Sequence, residues 1–385
     1  MSRHCSKTLL ALSTTALALP GIALADSPPL NSTLSYRFSV YGEDDVPVEE
    51  APFGRRDRYD IDVHQLRFIT PVGRNFGFQL DANVESMSGA SPWFTTAGPG
   101  GGPIVNLSGA SGISDRRSEL SFSGSYYLEN GTVGANVGYS EEDDYRAVYG
   151  GLDAQRSFNN NLTTLAGGIS YSSDDIFPTD AALFNRIRRA DKTSVSAVVS
   201  ISQVINRTST IQSALSITGQ DGYLSDPYKL RDVRPGDKTQ LAWASAYRKF
   251  LVAADAALHL DYRLYHDDFG IGSHTLDASW HQNLGNDFQI IPRLRYYSQS
   301  AADFYTNIDD FFSAPGDFQS SDYRLSAFGA FSGGVSLVTR LDELTLTLTT
   351  ERYVADEKYA LHDVTLPGTA LVRYFRVSLG VDYRF

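Results

Sequence analysis

The stretch Phe375-Arg-Val377-Ser-Leu379-Gly-Val381-Asp-Tyr383-Arg-Phe385 alternates without interruption. Its odd positions are apolar or aromatic, and its even positions are Arg376, Ser378, Gly380, Asp382 and Arg384. A strand sends successive side chains to opposite faces, so one face of this segment is apolar and the other polar. The same period recurs in Phe76-Gly-Phe78-Gln-Leu80-Asp-Ala82-Asn-Val84-Glu85 and in Ala256-Ala-Leu258-His-Leu260-Asp-Tyr262-Arg-Leu264. A strand of a soluble sandwich shows this local pattern too. Length and spacing separate the two architectures.

Sixteen such segments are read near 34–41, 59–70, 75–86, 115–128, 132–140, 145–158, 162–172, 192–204, 208–219, 238–250, 253–266, 273–284, 287–299, 322–338, 343–353 and 370–385. Most reach the length that a tilted strand needs to cross a bilayer. Short turns alternate with connections that are mostly long, among them 87–114, 173–191, 220–237, 300–321 and 354–369. Short periplasmic turns and long external loops are the habit of outer-membrane barrels. The expected fold is therefore all-β: a transmembrane antiparallel up-and-down β-barrel. Sixteen strands are expected, with fourteen left open where glycines blur the segments near 145–158 and 322–338. Tyr126, Tyr127, Tyr139, Tyr145, Tyr149, Tyr171, Tyr247, Tyr262, Tyr265, Tyr296, Tyr297, Tyr323 and Tyr353 fall near segment ends, where interfacial girdles belong.

The other end of the chain reads as an export signal. Arg3, His4 and Lys7 precede an apolar run from Leu9 to about Leu24, and Ala23-Leu24-Ala25 offers the small-x-small pattern of a cleavage site. Residues 1–25 are expected to be removed, leaving 26–385 as a single barrel domain in the outer membrane of a Gram-negative bacterium. The single Cys of the 385-residue chain, Cys5, lies in the removed segment, which excludes a disulfide scaffold and a Cys-rich metal site. A net charge of −12 offers no basic face to phosphates and argues against nucleic acid as a partner. Outer-membrane lipid, lipopolysaccharide and the barrel assembly machinery are the expected partners. Phe375, Val377, Leu379, Val381, Tyr383 and Phe385 form the terminal strand that assembly would read.

Several runs resemble a family of exported bacterial proteins of about 400 residues, known only as a domain of unknown function. They are Ser88-Gly-Ala-Ser-Pro-Trp93, Pro178-Thr-Asp-Ala-Ala-Leu-Phe184, Gly222-Tyr-Leu-Ser-Asp-Pro-Tyr-Lys229, Ser273-His-Thr-Leu-Asp-Ala278, Tyr296-Tyr-Ser-Gln-Ser-Ala-Ala-Asp-Phe-Tyr305 and the closing Gly380-Val-Asp-Tyr-Arg-Phe385. The resemblance implies an outer-membrane barrel without an assigned activity, and it brings no catalytic residues. Family genes that neighbour a flavin transferase and a small lipoprotein imply an envelope redox setting and a lipoprotein partner.

No G-x-S-x-G, H-E-x-x-H, C-x-x-C-H or Walker lysine is present, so no enzyme activity and no cofactor are expected. Gly98-Pro99-Gly100-Gly101-Gly102-Pro103 lacks both a lysine and a strand–helix context and reads as a loop tip. The candidate lumen wall is His259, Asp261, Arg263, Asp277, His281, Arg293 and Arg295. Pairing across 267–272 is expected to place Arg263 near Asp277, His259 near His281, and Asp261 opposite Ser279. Such a row could set the field of a channel constriction or merely stiffen the wall. Two imidazoles without a third ligand make a poor metal site.

Acidic runs in the external loops (Glu43-Asp44-Asp45, Glu49-Glu50, Glu141-Glu142-Asp143-Asp144, Asp174-Asp175, Asp267-Asp268, Asp309-Asp310) read as solvated surface or as weak divalent-cation bridges to lipopolysaccharide. Two function classes follow. One is a porin-like channel for small solutes or ions. The other is a non-channel barrel that scaffolds a partner or is plugged by its own loops, with Trp93, Phe94, Ile104 and Val105 making 87–114 the candidate plug.

Overall fold

A computed structural model describes residues 27–107, 113–314 and 316–385. The export segment lies outside them. Sixteen antiparallel strands close into one barrel. They are β1 (Thr33–Glu43), β2 (Asp60–Val72), β3 (Phe76–Gly89), β4 (Ile113–Leu128), β5 (Gly131–Glu141) and β6 (Tyr145–Phe158). There follow β7 (Thr163–Ile176), β8 (Ala190–Asn206), β9 (Ser209–Gly222), β10 (Asp237–Leu251) and β11 (Ala256–Asp267). The wall is completed by β12 (Gly272–Leu284), β13 (Phe288–Gln299), β14 (Phe328–Leu341), β15 (Leu344–Asp356) and β16 (Arg373–Arg384). No helix among the described residues is long and apolar enough to cross a membrane. Strands do the crossing, because closure satisfies every backbone group without an edge.

Period two sorts the faces as expected. Leu379 is 52% exposed and Leu260 36%, both on the outer face, where lipid takes the place of solvent. The strands are tied at one end by turns of two to four residues. The tightest demands on backbone are met at Asn159, Asn160 and Asn161, three consecutive residues with φ of 52°, 54° and 62°. Asparagine tolerates this left-handed region better than other non-glycine residues. At the opposite end, six of the eight connections are long, namely 44–59, 90–112, 177–189, 223–236, 300–327 and 357–372.

β1 and β16 pair from Thr33↔Arg384 to Glu43↔Tyr374 and so close the ring. Beyond that ladder Ser32 and Phe385 exchange both backbone hydrogen bonds, each at 3.0 Å. Deleting Phe385 removes this last pair and the ring stacked on Tyr383. We expect a several-fold lower yield of folded barrel, read as the heat-modifiable fraction on a detergent gel; an unchanged yield would show that closure needs only the ladder.

Three expectations need correction. The segment near 322–338 begins as strand only at Phe328, because Asp322 caps a short 3-10 turn over Tyr323–Leu325 that belongs to the preceding loop. The tyrosines do not form girdles as a set. Tyr126, Tyr139 and Tyr171 lie outside, whereas Tyr145, Tyr149, Tyr265, Tyr297 and Tyr353 have the inward parity, and Tyr323 lies in a loop. The third correction concerns register. Arg263 pairs with Thr275, Asp261 with Asp277, His259 with Ser279, and Ala257 with His281. The ladder is shifted by two residues because the turn closes tightly, with the Asp267 N–H on the Ile271 carbonyl and the Asp267 carboxylate on the Ile271 N–H at 3.0 Å. A shift of two preserves every face.

Candidate functional site

The inward positions separate by charge around the ring. From β10 through β16 to β2 they carry Lys238, Arg248, Arg263, Arg293, Arg295, Arg340, Arg376, Arg384, Arg37 and Arg67 against Asp261, Asp267, Asp277, Glu351, Asp382 and Glu43. From β3 to β7 they carry Asp81, Glu85, Asp115, Glu119, Asp153 and Asp174 against Arg117. Between these arcs lies a cavity of about 470 Å³, touched by Arg37, Arg67 and Asp382 on one side and by Glu119, Asp174 and Tyr149 on the other. A basic arc facing an acidic arc across a narrow lumen produces a transverse field.

The expected wall residues assemble in part. Asp277 accepts from Arg293 (2.6 Å) and Arg295 (2.8 Å), so two guanidinium groups share one carboxylate. Asp261 instead pairs with Arg248 at 2.7 Å. His259 and His281 lie with ring centroids 3.9 Å apart, tilted by 32°, although they are diagonal neighbours rather than a direct pair. Arg263 joins no ion pair among the described residues; its guanidinium lies over the Tyr265 ring, 5.1 Å from the centroid. Sequence reasoning missed Arg248, Glu351 and Arg376. Their inward parity is legible, but they lie on strands other than the three that carry the expected wall.

Long loops fold over the mouth as a cap, and the 87–114 segment takes part in it, with Met87, Ser91 and Pro92 lining one of the cavities beneath. Loop 223–236 and loop 300–327 line the cavities under the mouth and are joined through buried ions. Asp322 receives Arg234 at 2.8 Å and also Arg324, while Arg324 reaches Asp226 at 3.2 Å. A two-residue ladder, Asp232↔Ser320 and Val233↔Gln319, runs between the same loops. The 92–107 hairpin lies across them: Thr95 N–H donates to Asp309 at 2.8 Å, Leu230 N–H donates to the Trp93 carbonyl at 2.9 Å, and Val105 is 2% exposed. Trp93 and Phe94 pack edge-on, at centroid distances of 6.5 Å to Phe184 and 6.2 Å to Phe311 respectively. Gly329 permits the 357–360 segment to rest on β14, since a Cβ there would sit 1.9 Å from the Tyr359 carbonyl oxygen. Four of the six runs that carry the family resemblance, those at 88–93, 178–184, 222–229 and 296–305, contribute to this cap.

Many of the acidic loop groups are engaged within the chain. Asp44 pairs with Arg352, Asp175 with Arg189 and Glu141 with Arg146. At the turn between β5 and β6, Asp115, Glu142 and Asp144 bring carboxylate oxygens within 4.8 Å of one another. Arg117 lies 3.7 Å from Glu142, and the Tyr228 hydroxyl donates to Asp144. Burial, then the neighbouring Asp144, pushes the Glu142 carboxyl up to about 8, against the pull of Arg117. A carboxyl raised from 4.5 in the opened turn holds its proton longer when the turn is closed. Its contribution is complete below pH 4.5 and is lost as pH rises towards 8, by at most about 1.4 kcal/mol per pH unit. The Glu142 and Phe177 amides, bonded to Tyr145 and Asp144 carbonyls, should therefore open more often at pH 8 than at pH 5 once intrinsic exchange is corrected. Glu142→Gln should flatten the profile; a profile unchanged by it would assign the pH response elsewhere.

Solved structures share the fold. CdiB from Acinetobacter baumannii aligns with a TM-score of 0.51 at 8% identity, over 93% of this chain and 60% of that one. A bacterial polysaccharide outer membrane secretin gives 0.48 at 9% identity over 92% and 98%. OprD of Pseudomonas aeruginosa gives 0.45 at 11% over 92% and 94%. Identities this low speak to architecture alone, which is that of Gram-negative outer-membrane barrels. No curated protein matches in sequence. The profile of a family described as a protein of unknown function (DUF3570) matches residues 9–378, and the chain belongs to that family.

Proposed function

We propose that the protein is a porin-like channel for small polar solutes, exported by residues 1–25 and placed in the outer membrane, with its external mouth held capped. The single observation that carries this reading is the division of the lumen into a basic and an acidic arc around the cavity of about 470 Å³. A wall built only for stiffness would balance its charges pair by pair; here local pairs such as Arg248–Asp261 and Arg67–Asp81 leave guanidinium groups in excess on one arc and carboxylates in excess on the other, and that imbalance orients a dipolar solute in transit. His259, Asp261, Arg263, Asp277, His281, Arg293 and Arg295 belong to the basic arc in this reading. Lipid, lipopolysaccharide and the assembly machinery are its expected partners, and no reaction is assigned to it.

The cap favours a second reading, a barrel that scaffolds a partner such as a small lipoprotein and passes nothing. Conductance of the purified protein in planar bilayers separates the two. The channel reading expects discrete steps, with open time lengthened several-fold when residues 90–110 are deleted. Silence from both the full chain and the deletion would overturn it in favour of the scaffold.

A further inference from the structure

The register that tightens the 267–272 turn has a chemical consequence beneath the cap. Arg263 faces Thr275 rather than Asp277, and it joins no carboxylate among the described residues. It lines a cavity of about 380 Å³ bounded by the inner faces of β11 to β13 and by loops 223–236 and 300–327. Every other cation in that lining is neutralised. Lys238 meets Asp267 at 2.8 Å, Lys192 meets Asp174 at 3.0 Å, and Arg234 and Arg324 share Asp322. Both acids of the lining are also spent. Asp267 further accepts from Tyr265 at 2.6 Å, and Asp226 from the Tyr228 N–H at 2.9 Å and from Arg324. Arg263, a half-buried group with five N–H donors, is the one cation of this lining without an ion-pair partner among the described residues.

We infer that this chamber binds the carboxylate of a small monoanion with an aromatic or branched apolar body, held at Arg263. The guanidinium lies over Tyr265, which orients its plane and leaves its fork free for a bidentate carboxylate. The rest of the lining sets an apolar group, Leu224, Phe269, Ile271 and Leu325, beside polar Gln220, Ser225, Ser273 and Gln299. The apolar group gives the body of such an anion a surface to rest on while the guanidinium takes its carboxylate. A phosphate dianion would bring a second charge that nothing in the chamber offsets, so the class is carboxylate. The inference goes beyond passage through the barrel to retention within it.

Titration of the detergent-folded full chain with benzoate, benzamide or inorganic phosphate, followed by calorimetry, tests it. Saturable benzoate binding is expected, with benzamide and phosphate weaker by about tenfold or more. Arg263→Gln should lose benzoate by a similar factor while still running as a heat-modifiable barrel. Arg263→Lys, which keeps the charge and loses the fork, should fall between and serves if the first variant does not fold. Equal binding of benzoate and benzamide, phosphate binding as tight as benzoate, or benzoate affinity unchanged in both variants would each overturn the site. Binding without conductance would keep the site and remove the channel; conductance without binding would do the reverse.

Discussion

Leu260→Arg should cost roughly 2–4 kcal/mol of folding stability, while Arg263→Ala, three residues along the same strand, should cost about 1 kcal/mol or less. Leu260 sits near the middle of β11, opposite Ala278, on the face turned to hydrocarbon. A guanidinium there has no water and no partner, and the penalty is largest near the bilayer midplane. Arg263 points the other way and makes no ion pair among the described residues. Its removal forfeits one cation–π contact with Tyr265 and some packing. The contrast follows from period two alone. Folding into vesicles across a urea series measures both variants; equal tolerance at the two positions would show that this wall does not divide lipid from water.

How far the sequence carries depends on whether the relevant interaction is local. All sixteen strands were readable because lipid on one side and a polar lumen on the other impose alternation at every residue. Register was not, since it depends on how the 267–271 turn closes, with the Asp267 N–H on the Ile271 carbonyl and the Asp267 carboxylate on the Ile271 N–H, and the composition of the turn allows other closures. The false start at 322 has a similar origin. Tyr323, Leu325 and Phe328 look like a strand entering the membrane, yet Leu325 is 5% exposed because it packs in the cap with Ile271 and Tyr305. The cap itself had no sequence signature beyond loop length. Its contacts join Thr95 to Asp309 and Tyr228 to Asp144, pairs 214 and 84 residues apart. Charge segregation sits between these cases: each inward charge is legible from parity, and the two arcs emerge only when the strands are arranged in a ring.

Asp322→Ala should unlatch the cap and leave the barrel standing. The Asp322 carboxylate is fully buried, accepts from Arg234 and Arg324, and also caps the turn through the Arg324 N–H at 3.0 Å. Burial alone would raise its carboxyl, but Arg324 and Arg234 outweigh that and hold it well below the usual range. A depressed carboxyl contributes stability that is present above the ordinary value near 3.8 and lost as pH falls below it, so the latch is set throughout the neutral range. Removing Asp322 takes their shared carboxylate from two buried guanidinium groups and leaves each a single acid, Asp232 for Arg234 and Asp226 for Arg324; breaking a buried ion group costs about 3–5 kcal/mol, and the remaining acids put this one at the low end. The loss falls on loops 223–236 and 300–327, because Asp322 takes no part in the sixteen-strand ladder. The expected result is rapid protease cleavage within 223–236 or 300–327 at a concentration that spares the wild type, with heat-modifiable migration intact. In bilayers the variant should spend several-fold longer open. Asp322→Asn, which keeps an oxygen to cap Arg324 while losing the charge, should fall between the two. Cleavage no faster than wild type would show that the two loops hold the mouth shut without their shared carboxylate.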